Sequence, residues 1–375
     1  MILDLIKPFT KSQENLLQVL KDEKLQILGI FGPTGTGKSL FSLAYGIDSV
    51  TSSKYKKLVV AKPIVDVVTQ EEITRKELGD YEELVKAYIK DVLSGFVEEK
   101  VIDDLIDSNK IEIVDSRYLR GRSFNDAIIF IDDIQSMKAE SVLELFIRVG
   151  KNSKLIVAGD PIFQALSGQD SSAIIREVLL NEKDAKVIDL GVKDIVRSGA
   201  KRGLRLLLEY KLRSRKMTDV EKKIYDTALL HAPDASIITV SEFSAEKSKL
   251  GITHENVPDA LIIVKEGSAG RVIGRNGERI NNIEKETSKK VRVVELGLDF
   301  KDLIKAVHPV PWIMKHIEDV DFIGNALAVT LKKESGAFMG QKGIHVRFVD
   351  YVIRSLFGIG VKVIAPSEEE GESKK

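Results

Sequence analysis

The sequence predicts an α/β protein: a mostly parallel sheet flanked by helices, followed by two small α+β modules. Three observations carry that prediction. Over the first 230 residues, short apolar runs alternate with helix-periodic stretches. A glycine-rich element, Gly32-Pro33-Thr34-Gly35-Thr36-Gly37-Lys38-Ser39, falls where the first run gives way to a long helix. After 258, a strand, Gly-x-x-Gly, helix, strand frame occurs twice, 66 residues apart. Strands alternating with helices imply parallel strands joined by crossover helices on both faces.

The strand runs are 25–31, 58–61, 111–114, 127–131, 154–158 and 185–190. Each is short, apolar and bounded by turn formers, the pattern of a strand buried on both faces. Helical periodicity marks 13–20, 39–49, 81–93, 139–148 and 172–180. At His231-Ala232-Pro233-Asp234 the texture changes to a turn, and 241–258 is polar. The first frame joins strand 260–264, Gly274-Arg275-Asn276-Gly277, a helix to about 288 and strand 291–294. The second joins 326–330, Gly340-Gln341-Lys342-Gly343, a helix to about 357 and 361–364. Duplication of one small module accounts for both. The predicted organisation is an α/β domain over 1–230 and a linker over 231–258. Modules at 259–297 and 326–365 follow, joined by a connection over 298–325 packed around Trp312. A flexible tail covers 366–375.

Composition narrows the function classes. The chain has 375 residues, no cysteine and five histidines, which excludes thiol chemistry and argues against a zinc site. No apolar run reaches the length of a membrane span, and the N-terminus lacks a basic segment leading into an apolar one, so a cytoplasmic protein without membrane contact is expected. The net charge is zero, yet unevenly distributed. Residues 71–115 hold 14 acidic against 6 basic residues, an acidic helical insertion. Residues 197–216 hold 8 basic against 1 acidic, and 326–365 hold 6 basic against 2 acidic. The 197–216 run reads equally as a nucleic-acid face and as a solvated helix with Leu204, Leu206, Leu207, Leu208 and Leu212 packed inward.

Gly32 to Ser39 fits the phosphate-binding pattern G-x-x-x-x-G-K-[ST] in full and in context. Gly32, Gly35 and Gly37 let backbone N–H groups turn toward phosphate oxygens. Pro33, Thr34 and Thr36 complete the loop, and the helix start adds a favourable dipole. Lys38 is expected on the β- and γ-phosphates and the Ser39 hydroxyl on Mg2+. A partner carboxylate should end a second buried strand, and Asp132-Asp133 supplies it: Asp132 for the metal, Asp133 for orienting the attacking water. No guanine-reading Asn-Lys-x-Asp is present; Asn109-Lys110-Ile111-Glu112 ends in Glu. ATP with Mg2+ is the expected ligand pair, and the expected fold is a RecA-like P-loop NTPase.

The segment Arg117-Tyr118-Leu119-Arg120-Gly121-Arg122-Ser123-Phe124-Asn125-Asp126-Ala127, leading to Asp132-Asp133-Ile134-Gln135, resembles the PhoH-like ATPases, relatives of the superfamily-one helicase core. The resemblance covers about 5–210. It implies that Gln13, within Phe9-Thr10-Lys11-Ser12-Gln13, reads adenine. It implies that Gln164, after Gly159-Asp160-Pro161-Ile162-Phe163, senses the γ-phosphate. It also implies that Arg197, ending Asp194-Ile195-Val196-Arg197, contacts phosphate, and it matches Lys62-Pro63 to a pair after a strand. Two positions depart from the family pattern. Asp133 stands where the family box has glutamate, one methylene longer, and one extra residue separates Asp160 from Gln164.

The C-terminal frames resemble KH domains, in an arrangement similar to the pair in NusA-type transcription factors. The resemblance implies that Gly274, Arg275, Asn276 and Gly277, and likewise Gly340, Gln341, Lys342 and Gly343, hold RNA phosphates beside a groove for about four unstacked bases. Together the resemblances imply an ATP-hydrolysing enzyme that engages single-stranded RNA, with single-stranded DNA kept open, as an RNA helicase or RNP-remodelling ATPase. A single P-loop, where unwinding helicases carry two motor cores, points to a homo-oligomer. The competing reading is an RNA-binding scaffold switched by ATP with little hydrolysis.

Overall fold

The computed structural model describes residues 1–65, 80–115, 122–163 and 171–365. It divides into two compact units, Met1–Lys201 and Arg202–Lys375.

The first unit is built on a parallel sheet of six strands: β1 (Ile27–Phe31), β2 (Lys57–Ala61), β3 (Ile111–Val114), β4 (Ala127–Ile131), β5 (Lys154–Gly159) and β6 (Ala185–Asp189), in the order β3-β2-β4-β5-β1-β6. Every predicted strand is present, within two residues at each end. Alternate side chains feed two apolar clusters. Leu28, Ile30, Leu58, Val60, Ile128, Phe130 and Ile156 belong to one, with α1 (Lys11–Lys21), α2 (Lys38–Thr51), α3 (Tyr81–Leu93) and α4 (Glu99–Asp107). Phe31, Val59, Ile129, Ile131, Leu155 and Val157 belong to the other, with α5 (Ala139–Phe146) and α6 (Ser171–Leu180). Burial on both faces is why β1, β2, β4 and β5 read as apolar runs rather than alternating ones. The acidic segment supplies α3, α4 and edge strand β3 among its described residues.

Helix α7 (Ser198–Arg213) buries Leu204, Leu208 and Leu212, spaced four residues apart. Leu206 is 54% exposed, against the expectation that it packs inward, because it lies on the opposite face of that helix. The second unit then repeats one topology. Helix α8 (Asp219–His231) packs on β7 (Ile237–Glu242), β8 (Ala260–Lys265) and β9 (Val291–Leu296). Strands β7 and β8 are antiparallel, and β8 and β9 parallel. After α9 (Ser244–Lys249), helices α10 (Ala269–Ile273) and α11 (Glu278–Thr287) flank the first Gly-x-x-Gly, and α12 (Lys301–Val307) opens the second module. There β10 (Ile317–Ile323), β11 (Ala326–Leu331) and β12 (Gly360–Ile364) pair in the same antiparallel-then-parallel order. Helices α13 (Ser335–Met339) and α14 (Ile344–Phe357) flank the second loop.

This pairing corrects the predicted boundaries. Residues 231–258 are not a linker, since β7 is an edge strand of the first sheet, and the 298–325 connection contains α12 and β10. β7 is as buried as its central neighbour β8, but its apolar run, 237–240, is short and sits between a turn and a polar stretch. The modules touch through Phe243 and Phe348, edge to face at 5.4 Å, and through the Ser241 and Ser355 hydroxyls at 2.7 Å. Trp312 is not packed away in the connection: it is 49% exposed on the 3-10 turn Pro311–His316.

Candidate nucleotide site and glycine loops

All six strands of the first sheet run parallel, so their carboxyl ends open on one side, where ligands of such sheets bind. The end of β1 carries Gly32–Ser39, that of β4 carries Asp132-Asp133, and that of β5 carries Asp160. Gly35 (φ +89°) and Gly37 (φ +95°) take left-handed conformations that open the loop before α2. Lys38 is buried, and its ammonium donates to the carbonyls of Gly32 (2.7 Å) and Pro33 (2.9 Å). Burial lowers its pKa, opposed by Asp160, Asp132 and Asp133.

The Ser39 hydroxyl donates to Asp132 Oδ2 at 2.6 Å across 93 residues of sequence. The Tyr88 hydroxyl, from α3, donates to the same oxygen. Lys62, just past β2, bonds to Asp133 and lies 4.0 Å from Asp132, with its ammonium 4.3 Å from the Tyr88 ring centre. Gln135 Nε2 donates to Asp133 Oδ1 (3.0 Å), while its Oε1 accepts from the Asp160 N–H (3.0 Å). Asp160 Oδ1 in turn accepts from the N–H groups of Ile162 and Phe163. Asp133 sits at φ +53°, a left-handed conformation just past the end of β4. Burial and the neighbouring Asp133 raise the pKa of Asp132. Burial also works to raise that of Asp133, but Lys62 outweighs it and holds the carboxyl below its usual range.

The oxygen pair of Ser39 and Asp132 fits a hard, water-carrying cation such as Mg2+, which binds through few protein oxygens and completes its shell with phosphate and water. Among the described residues no group of three or more His, Cys, Asp or Glu side chains could hold a metal by itself. Ser39 and Asp132 would hold such an ion, which would supply positive charge to offset that of a bound phosphate.

The other sequence-derived residues divide. Gln13 is buried, and its carboxamide is taken by protein partners: Nε2 donates to the carbonyls of Thr36 (3.0 Å) and Asp194 (3.2 Å), and Oε1 accepts from the Phe9 N–H (2.8 Å). It ties the P-loop to the turn before Arg197 instead of presenting an open edge to a base. Arg197 does come to the loop: with Thr34 and residues 198–200 it lines an open cavity of about 560 Å3. Gln164, Arg117 and Arg120 lie outside the described residues. Arg122 pairs with Glu112 and lies over the Phe124 ring at 4.8 Å. Tyr88 was invisible to sequence reasoning, since no motif marks a tyrosine on an amphipathic helix.

In the second unit, the two glycine loops share one backbone conformation. Gly274 and Gly340 have φ/ψ of 75°/175° and 72°/169°, a region open essentially to glycine alone. Asn276 (51°, 24°) and Lys342 (54°, 24°) are left-handed, as are Gly277 (80°, 9°) and Gly343 (75°, 20°), which cap α11 and α14. Even the flanking contacts recur: Glu284 accepts from the Val291 N–H (2.8 Å) and Asp350 from the Val361 N–H (2.7 Å).

A six-stranded parallel sheet with a P-loop on one strand and a buried aspartate on another defines a P-loop NTPase. The family is identified by comparison: the model of the family described as PhoH-like protein matches residues 5–209, and the chain belongs to that family. A second model, KH domain, matches residues 236–307. Among curated relatives, a PhoH-like protein of Mycobacterium leprae is 27% identical over 197 residues, 51% of this chain and 55% of that one. Protein PhoH2 of Bacillus subtilis is 33% identical over 168 residues, 42% of this chain and 36% of that one. The chain thus spans only part of each relative's length. Among solved structures, the large terminase of a thermophilic bacteriophage aligns with 53% of this chain and 50% of its own, at 15% identity and a TM-score of 0.33. Among the described residues, no helix is long and apolar enough to cross a membrane.

Proposed function

We propose that this chain binds and hydrolyses ATP with Mg2+ and engages single-stranded RNA through two KH modules, acting as an RNA helicase or RNP-remodelling ATPase of the cytoplasm. The observation that carries the hydrolysis is the 2.6 Å contact between Ser39 and Asp132, with Asp133 beside it. In this reading Lys38 leaves the Gly32 and Pro33 carbonyls for the β- and γ-phosphates. Asp133 orients the attacking water, and Arg197 approaches the phosphates from the rim of the loop. Support for RNA comes from the KH match over 236–307 and from the common backbone of the two loops, which favours reading the segment around Gly340–Gly343 as a second module of the same kind. One P-loop per chain favours a homo-oligomer as the working form.

The test is magnesium-dependent phosphate release from ATP, with and without single-stranded RNA. Hydrolysis should be stimulated by RNA and lost in Lys38→Ala; turnover surviving in that variant overturns the assignment. A second reading, an RNA-binding scaffold switched by ATP, is favoured by one observation: Asp133 is already held by Lys62 and Gln135. Tight ATP binding with negligible turnover in the presence of RNA would select it.

A further inference from the structure

The geometry points to Trp312 as a stacking platform for an unpaired nucleobase, a binding site separate from both glycine loops; it rests on the nucleic-acid reading of the modules given above. Trp312 is the only tryptophan in the chain. Tryptophan is a large apolar surface with one polar edge, and a folded chain normally covers most of it. Here 49% of it stays exposed. The ring is nevertheless held in place: it sits on the Pro311–His316 turn, and the His316 ring meets it edge-on at 5.8 Å.

What lies beside it argues for the ligand. Pro311, its neighbour in the turn, lines a cavity of about 570 Å3, together with β9, Lys305 and Ala269, the first residue of the helix that leads into the first glycine loop. The cavity therefore lies between the tryptophan's turn and the start of the helix that leads into the first glycine loop. Arg292 stiffens one wall, donating to the carbonyls of Ala306 (2.8 Å) and Asn256 (2.7 Å). Lys305 and Lys315 are exposed, and the Lys332 N–H donates to the His316 carbonyl (2.8 Å), which brings a further exposed lysine beside the turn. Glu295 and Asp302 share the cavity, so it does not suit a bare anion. An exposed aromatic ring on a turn with exposed lysines on and beside it, next to a cavity with both polar and apolar walls, suits single-stranded nucleic acid. Bases stack on the ring whatever their identity, and the cations serve the backbone.

The solitary tryptophan makes the test direct. The full-length protein is titrated with labelled single-stranded oligouridylate or oligothymidylate, followed by anisotropy, and in parallel with unlabelled strands, followed by tryptophan emission. We expect saturable quenching with the same midpoint as the anisotropy change. Trp312→Ala should bind about tenfold more weakly with an unchanged circular dichroism spectrum, while Trp312→Phe keeps most of the affinity. Quenching by both strands, or by the RNA strand alone, supports the platform. Binding that leaves both the emission and the Trp312→Ala affinity unchanged overturns the platform and leaves the RNA reading intact. Absence of anisotropy change with either strand removes that reading, and the platform with it.

Discussion

Asp132 and Asp133 are neighbours on the chain, yet their surroundings push them apart. The first accepts hydrogen bonds from Ser39 and Tyr88 in a buried corner; the second is paired with a lysine and an amide. That split suits a metal carboxylate beside a water-orienting one. Asp133→Asn should therefore bind ATP as the parent does, read by equilibrium dialysis, and hydrolyse it about 100-fold to 10,000-fold more slowly. A second residue-scale prediction concerns His308. It is buried, its Nδ1 accepts from the Val310 N–H (3.1 Å), and its Nε2 meets the Phe338 carbonyl (3.1 Å). Burial lowers its pKa from 6.5 to about 4. Between those values the unfolded chain binds the proton that the folded one refuses, so stability present above pH 6.5 falls as the pH drops toward 4. The loss is on the order of 3 kcal/mol. Thermal melts across that range should show it, and His308→Asn should show a flatter dependence. The Asp pair, Lys38 and Ser39 were legible as a spaced motif. Tyr88 was not, because its contact with Asp132 spans 44 residues and depends on how α3 docks.

Elements read well where burial is symmetric. Strands covered on both faces appear in sequence as apolar runs, which marks β1, β2, β4 and β5; the edge strands β3 and β6 are only partly buried, yet their bounds are also close. Edge strand β7 was missed, and with it the true extent of the first module. Two predictions belong here. Lys154, on β5, is fully buried, and its ammonium donates to the carbonyls of Leu20 (2.7 Å) and Asp22 (2.8 Å) at the end of α1. It caps that helix from another element. Lys154→Met strands those carbonyls and should cost about 1–3 kcal/mol in denaturant unfolding. In the glycine loops, a Cβ on Gly274 would lie 2.7 Å from Arg279 Cγ, and one on Gly340 would lie 2.5 Å from His345 Cγ. Gly274→Ala or Gly340→Ala should each cost about 1–3 kcal/mol of strain and weaken RNA binding. A variant that keeps parental RNA affinity would show that its loop is not a phosphate clamp.

At the scale of the whole molecule, a net charge of zero conceals an acidic 71–115 segment and basic stretches at 197–216 and 326–365. Several of the basic side chains are already paired: Arg205 with Glu266, Arg213 with Glu209 and Arg215 with Glu221. Affinity for RNA should therefore come from few phosphate contacts plus stacking, with a shallow salt dependence. Each phosphate contact removed should lessen the slope of log K against log salt by about 0.7, which Lys342→Ala can show in binding isotherms at several salt concentrations.

The sequence by itself determined the alternation that builds the parallel sheet, the phosphate loop, its partner aspartate and the repeated glycine frame. These are local patterns, set by spacing, turn chemistry and burial. Only the tertiary structure decided what faces what. It placed Tyr88 and Lys62 on the aspartate pair, turned Gln13 into a tie between two loops, joined β7 to the first module and left Trp312 half in water. Those outcomes depend on contacts between residues far apart in the chain, which no local pattern encodes.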